Sequence, residues 1–190
     1  MEDAEGRTYL DFVVGRGRVS LGHCHPALVS AIEEQASTLV HVSNYYYIEH
    51  RGEVAHLVSD LLNECVDEAE REPWQSFFAN SGAEANECAF KLARLHAKKR
   101  AMAAAEAAGA DEDGVRAAAA AAPRLIVTLD ASFHGRTLAT LAATAQPAKQ
   151  EAFQPPARRL RPHAHQRYQG ARVAVRLPGR RICAVSGGVR

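Results

Sequence analysis

One junction constrains this chain more than any other stretch. A short apolar run ends in Phe77-Phe78, passes through Ala79-Asn80-Ser81-Gly82-Ala83, and opens directly into a helical pattern. From Ala85 onward, Cys88, Ala89, Leu92 and Leu95 recur at the i, i+3, i+4, i+7 spacing of one helix face. Asn80 or Ser81 suits an N-cap, and Glu84 stands three residues after Ser81, the spacing of a capping box. The pattern predicts a strand, a tight turn at Gly82 and a long helix with its first N–H groups bare. Such an end attracts anions, because unpaired N–H groups and the helix dipole both favour negative charge.

The rest of the composition narrows the class. A chain of 190 residues with 47% hydrophobic content is normal for a soluble globular protein, and no apolar run is long enough to cross a bilayer. Met1-Glu2-Asp3-Ala4-Glu5 is acidic where a secretory signal is basic and then apolar. Cys24, Cys65, Cys88 and Cys183 show no paired spacing, so neither a disulfide framework nor a zinc site is expected, and a cytoplasmic setting is. The formal net charge of +1 hides a split. Residues 157–190 hold nine arginines with no lysine and no acid, which leaves 14 basic and 22 acidic side chains in residues 1–156.

Along the chain, Glu5 to Val14 reads as a turn and then a strand. Gly15-Arg16-Gly17-Arg18 is not a dinucleotide fingerprint, because the third glycine position is Ser20 and no long helix opens there. His23 and His25 flank Cys24, but adjacent residues cannot all converge on one ion, so no metal is expected. Helices are predicted over 27–40 and 49–65, separated by the aromatic loop Ser43-Asn44-Tyr45-Tyr46-Tyr47. The Ala-rich segment 101–122 reads as a helix end, a solvated turn and a second helical piece, closed by Pro123. Arg124 to Asp130 is a near-continuous apolar strand, the kind buried in parallel sheets. Ala131-Ser132-Phe133-His134-Gly135-Arg136-Thr137 follows at its carboxyl end, where ligands sit in open α/β sheets.

Five of these motifs resemble, in order and spacing, the class III pyridoxal phosphate-dependent aminotransferases. They are Tyr9-Leu10-Asp11-Phe12, Leu21-Gly22-His23-Cys24-His25-Pro26, Ser43-Asn44-Tyr45-Tyr46-Tyr47, Asn80 to Glu87, and Ser132 to Thr137. The likeness runs over about residues 5–155 and is nearest to the acetylornithine and succinyldiaminopimelate branch, aided by Thr140 to Pro147. The resemblance implies the opening part of the large domain of fold type I, with a mainly parallel sheet. Residues 1–35 would be an N-terminal segment and small-domain portion, and 36–156 the start of the cofactor-binding domain. It implies pyridoxal 5'-phosphate as cofactor, amino-acid and 2-oxoacid substrates, and a homodimer, with no nucleic-acid or membrane partner. Gly82 and Ala83, with Ser81 nearby, would hold the cofactor phosphate, and Phe133 would stack on its ring. Arg136 would grip the substrate α-carboxylate with its fork of donors, and Tyr47 would line the substrate pocket. Arg16 and Arg18 depart from the family, which usually carries aliphatic residues there; buried, they would be costly unless paired.

The family's Schiff-base lysine and the acid beside the cofactor ring lie well downstream of the Phe-His-Gly-Arg motif. The lysines here are Lys91, Lys98, Lys99 and Lys149, none in the family's context, and nothing after Glu151 is acidic. No catalytic residue is therefore assigned, and the chain is expected to be truncated before that lysine and inactive alone. An arginine-rich, acid-free stretch is what GC-rich codons give in a shifted frame, so residues 157–190 are expected to be a frameshifted tail without native fold. Two alternatives compete with acetylornithine transamination. One is another class III activity. The other is a non-enzymatic protein whose basic tail contacts a polyanion, although that tail has no aromatic residue beyond Tyr168.

Overall fold

Helix α4 (Gly82–Ala107) starts where the capping signal predicts and runs for 26 residues, about 39 Å at 1.5 Å per residue. Ser81 takes an extended conformation as N-cap, and its side chain accepts from the Glu84 amide. The computed structural model describes residues 1–129, 131–155, 160–163 and 182–186; for Arg16, Gly17, 160–163 and 182–186 it describes the backbone alone. The chain divides into two compact units, Met1–Ser76 and Phe77–Arg190.

The first unit holds α1 (Val14–Gly17), α2 (Pro26–Thr38) and α3 (Arg51–Asn63). Pro26 opens α2 at the first helical position, where its missing N–H costs nothing. Both long helices match the predicted segments to within two residues at each end. The strand expected up to Val14 does not form. Asp11 Oδ1 accepts from the amides of Val13 at 2.9 Å and Val14 at 3.0 Å, diverting the donors that a strand ladder would need. His23 Nε2 lies 2.8 Å from Asp11 Oδ2 and, with those amides, holds the carboxyl below its ordinary range. Arg18 is exposed, so it does not incur the cost of a buried charge. Among the described residues of this unit none is buried, and the apolar stripes of α2 and α3, Leu28, Ile32, Leu57 and Leu61 among them, stay open to solvent.

The second unit is built on β1 (Leu125–Leu129), flanked in parallel by β2 (Leu160–His163) and β3 (Ile182–Ser186) in the order β2-β1-β3. A bulge between Leu125 and Ile126 shifts the β1–β3 register. Helix α4 lies against α5 (Glu112–Ala121), α6 (Leu138–Ala143) and β3, and α6 against β2 and α7 (Pro147–Gln150). Ile126, Ala142, Ala143 and Phe90 form the core, as a strand buried on both faces requires. The strand expected at Phe77-Phe78 is absent. Residues 71–79 carry no regular structure, Phe77 and Phe78 are exposed, and Asn63 pairs instead with the backbone of Glu72. Strands β2 and β3 fall inside the stretch expected to have no native fold. Backbone pairing needs only N–H and C=O groups and tolerates most side chains. The rest of that stretch lies outside the described residues.

Thr128 is fully buried and its hydroxyl has no hydrogen-bond partner among the described residues, a loss of about 1–3 kcal/mol. Thr128→Val removes that group at nearly constant volume and should stabilise the chain by about 1 kcal/mol. Ile126→Ala, at a position with no exposed surface, should destabilise it by about 2–5 kcal/mol. Urea unfolding followed by circular dichroism distinguishes the two.

Candidate cofactor and substrate site

The site begins with the accounting of donors at the start of α4. The Ala85 amide donates to Ser81 O at 3.0 Å and the Glu84 amide to Ser81 Oγ at 3.2 Å. Glu84 Oε2 turns back to accept from the Asn80 amide at 2.9 Å. This capping box reaches one residue further back than the usual pattern, and it keeps the Glu84 carboxylate engaged with backbone. The amides of Gly82 and Ala83 are left without an acceptor among the described residues. A side chain built at Gly82 would meet nothing within 4 Å, and the residue is exposed. Two free N–H groups at the positive end of a 26-residue helix favour negative charge.

The loop after β1 is seated on this helix end. Ala131 adopts a left-handed φ of 58°, and its amide donates to Ala145 O at 3.0 Å. Gln146 Nε2 donates to Ser132 O at 3.2 Å. His134 is buried, its amide donates to Thr144 Oγ1 at 2.9 Å, and its ring stands 6.3 Å from that of Phe90. Gly135 has φ 136°, and a Cβ there would lie 2.6 Å from Ala83 Cβ and 2.9 Å from Ala83 Cα. Glycine alone permits that approach. Asn86 fastens it: Nδ2 donates to Gly82 O at 2.9 Å and to His134 O at 3.0 Å. Thr137 Oγ1 adds a hydrogen bond to Glu87 Oε1, one helical residue further on.

Ser81, Gly82, Ala83, Phe133 and Arg136 thus share one compact unit, with Gly135 packed against Ala83. Arg136 is exposed, and its guanidinium lies 5.5 Å from the centre of the half-buried Phe133 ring, a cation–π distance. The guanidinium is therefore held over the aromatic face while its remaining donors reach solvent. Tyr47 belongs to the first unit, in the Ser43–Tyr47 turn, and is fully exposed there. Sequence reasoning gave no role to Asn86, Gly135 or Thr137, although all three lie inside the quoted motifs. An amide side chain one turn into a helix was the available signal for Asn86, since asparagine is neutral to unfavourable there without a partner.

A helix N-terminus at one side of a parallel sheet, with a loop at the carboxyl end of its central strand seated on it, makes the second unit an α/β structure. The particular family follows from comparison. The aminotransferase class-III family model matches residues 1–173, and the chain belongs to that family. It is 45% identical over 153 residues to acetylornithine aminotransferase of Thermosynechococcus vestitus, covering 80% of this chain and 31% of that protein. The corresponding Synechocystis enzyme is 44% identical, with 80% and 30% covered. The chain thus spans about a third of the length of these relatives. Among solved structures, a Bacillus anthracis aminotransferase matches with a TM-score of 0.67 and 26% identity, over 86% of this chain and 31% of that one. Ornithine aminotransferase of Toxoplasma gondii, at 21% identity and a TM-score of 0.62 over 86% and 33%, shares the fold.

Gly135→Ala must push Ala83 or Thr140 aside and hold a strained φ, so it should cost about 2–4 kcal/mol and unseat the loop. Asn86→Ala removes the donor that joins the Gly82 and His134 carbonyls and should cost about 1–2 kcal/mol. Amide hydrogen exchange of Ala131 to Thr137 reports both, and Asn86→Ala should leave the protection of α4 beyond Phe90 unchanged.

Proposed function

We propose that this chain is the amino-terminal part of a pyridoxal phosphate-dependent aminotransferase of the acetylornithine type. In this reading the whole protein transfers an amino group from N-acetylornithine to 2-oxoglutarate in arginine biosynthesis, as a cytoplasmic homodimer. The observation that carries it is the contact of Gly135 with Ala83, which brings the Arg136 loop onto the two free amides of α4. The relatives at 45% and 44% identity support the choice of branch. The opening of a fold type I large domain fits the parallel pairing of β1 with β2 and β3. The start of the cofactor-binding domain is placed at residue 36, after a small-domain portion over 1–35.

The residues present suit the cofactor. Gly82 and Ala83 would donate their amides to the phosphate oxygens, and the open space at Gly82 leaves room for that group. Ser81 orders the turn by capping Glu84, so the free donors are fixed before any ligand arrives. Phe133 would present its face to the cofactor ring, and Arg136 would pair with the α-carboxylate of the amino-acid substrate. Tyr47 would contribute to the substrate pocket. When bound, the cofactor supplies an electron sink for chemistry at the substrate α-carbon. This chain's residues bind and orient; none is assigned to proton transfer. Lys91, Lys98 and Lys99 stand exposed on α4 and Lys149 exposed on α7. The stretch from Ala157 is proposed to be a frameshift product, and sequencing the coding DNA around codons 150–160 tests it. A one-base change restoring a downstream acid and lysine is the expected result, and a confirmed frame without them rules it out.

Binding is tested with pyridoxine 5'-phosphate, which has no aldehyde to react with lysines. Gly82→Pro deletes one donor at the first helical position, where proline is tolerated, and the extended Ser81 before it is already compatible. Equilibrium dialysis should show affinity for pyridoxine 5'-phosphate falling about tenfold or more in Gly82→Pro, with unphosphorylated pyridoxine unaffected. Equal affinity of wild type and variant would refute the phosphate assignment.

A further inference from the structure

Away from the α4 N-terminus, the packing of α5 on α4 leaves a cavity of about 490 Å³, closed at one end by the segment leading into β1. Arg94 and Lys98 line it from α4, Arg116 from α5, and Arg124 from the start of β1. Leu95 and the alanines of α5 make an apolar floor, and among the described residues no acidic side chain lines it. Arg94 lies 12 residues beyond Gly82, about 18 Å along the helix, so the cavity is separate from the proposed phosphate site.

The four cations are not equally occupied. Arg94 Nε donates to Arg124 O at 3.3 Å and Arg124 Nη2 to Ala120 O at 2.6 Å, which anchors both side chains while leaving other guanidinium donors free. Arg116 pairs with Asp113 at 3.3 Å, both side chains largely exposed, so that pairing is weak and easily exchanged. Lys98 has no ion-pair or hydrogen-bond partner among the described residues. Gathering four like charges around one concavity is unfavourable in the absence of an anion. The volume falls in the range of small-molecule sites, and an apolar floor with a few charged groups at the rim is their usual make-up.

We propose that this groove is a binding site for a small organic anion, one carboxylate or phosphate carried on an apolar or aromatic body. The anionic group sits among Lys98, Arg116 and the free donors of Arg94, and the apolar body lies on Leu95 and the alanines of α5. A nucleic-acid strand fits less well, because the cations surround a concavity rather than follow a stripe, and no aromatic side chain lines it for stacking.

The adjacent lysines supply an internal control, since Lys98 lines the groove and Lys99 does not. The chain is treated with an amine-acylating reagent, with and without phenyl phosphate, and both lysines are quantified by mass spectrometry. Saturating phenyl phosphate should slow acylation of Lys98 at least about fivefold and leave Lys99 unchanged. Inorganic phosphate should need about tenfold higher concentration for the same protection, because it cannot use the floor. Arg116→Glu, at an exposed position, should raise the half-protecting concentration about tenfold or more. Ala120→Leu fills the floor without touching charge and should raise it too. The proposal fails if Lys98 and Lys99 are protected alike, if inorganic phosphate equals phenyl phosphate, or if neither variant changes the protection. It also fails if a short oligonucleotide protects Lys98 better than phenyl phosphate does.

Discussion

The second unit depends on one backbone approach, Gly135 against the first turn of α4. With a Cβ position only 2.6 Å from that of Ala83, the contact exists because residue 135 has no side chain. Everything chemical follows from it. The loop after β1 could otherwise leave the sheet in any direction, and Arg136 would be one more exposed arginine. Asn86 converts the approach into a fixed geometry by joining the carbonyls of Gly82 and His134 with one amide group. That bridge spans 48 residues of sequence, and it ties helix and loop together beside the packing of His134 near Phe90.

The cap of α4 is arranged to leave donors unused. A helix end that satisfied all its amides would be more stable by itself and would have nothing to offer an anion. Ser81 accounts for two of the first four N–H groups, through its hydroxyl and its carbonyl. Glu84 is the one acid in the first turn, and its carboxylate is drawn back to Asn80, so it does not compete for the vacant amides. The cation–π contact of Arg136 with Phe133 works in the same direction. It holds a strong carboxylate partner over the aromatic face in advance, which lowers the ordering cost that a ligand would have to offset.

How much of this was legible in the sequence depends on the range of each interaction. The α4 start, α2, α3, the second helical piece that is α5, and β1 were readable because their signals are local: a capping residue, a periodic stripe, a run of alanines, a run of apolar and β-branched residues. The strand expected before Val14 was misread because its apolar residues outweighed a single Asp11, whose side chain takes two backbone donors. At Phe77-Phe78 the composition suited a strand, but a strand needs a neighbour to pair with, and composition carries no information about neighbours. Ser81, Gly82, Ala83, Phe133 and Arg136 could be picked out from motif resemblance. That Gly135 must touch Ala83, and that Asn86 must bridge the two, are properties of a fold in three dimensions and have no one-dimensional signature.

The two units bury their apolar residues very differently, and the difference has a physical cause. In the second, β1 is a central strand whose Ile126 packs with Phe90 of α4 and with Ala142 and Ala143 of α6, so Ile126 and Ala143 lose all contact with water. In the first there is no sheet among the described residues, and α2 and α3 keep their aliphatic stripes exposed. Amphipathic helices of 13 residues draw most of their stability from a partner surface rather than from propensity. Residues such as Ile32 and Leu61 therefore lie on stripes that the described residues of the first unit leave exposed. The corner at the start of α4 rests on a cap and one close backbone contact, which need no large buried surface. Burial of the α2 and α3 stripes is different in kind, because it needs a broad partner surface, and the described residues of the first unit do not form one.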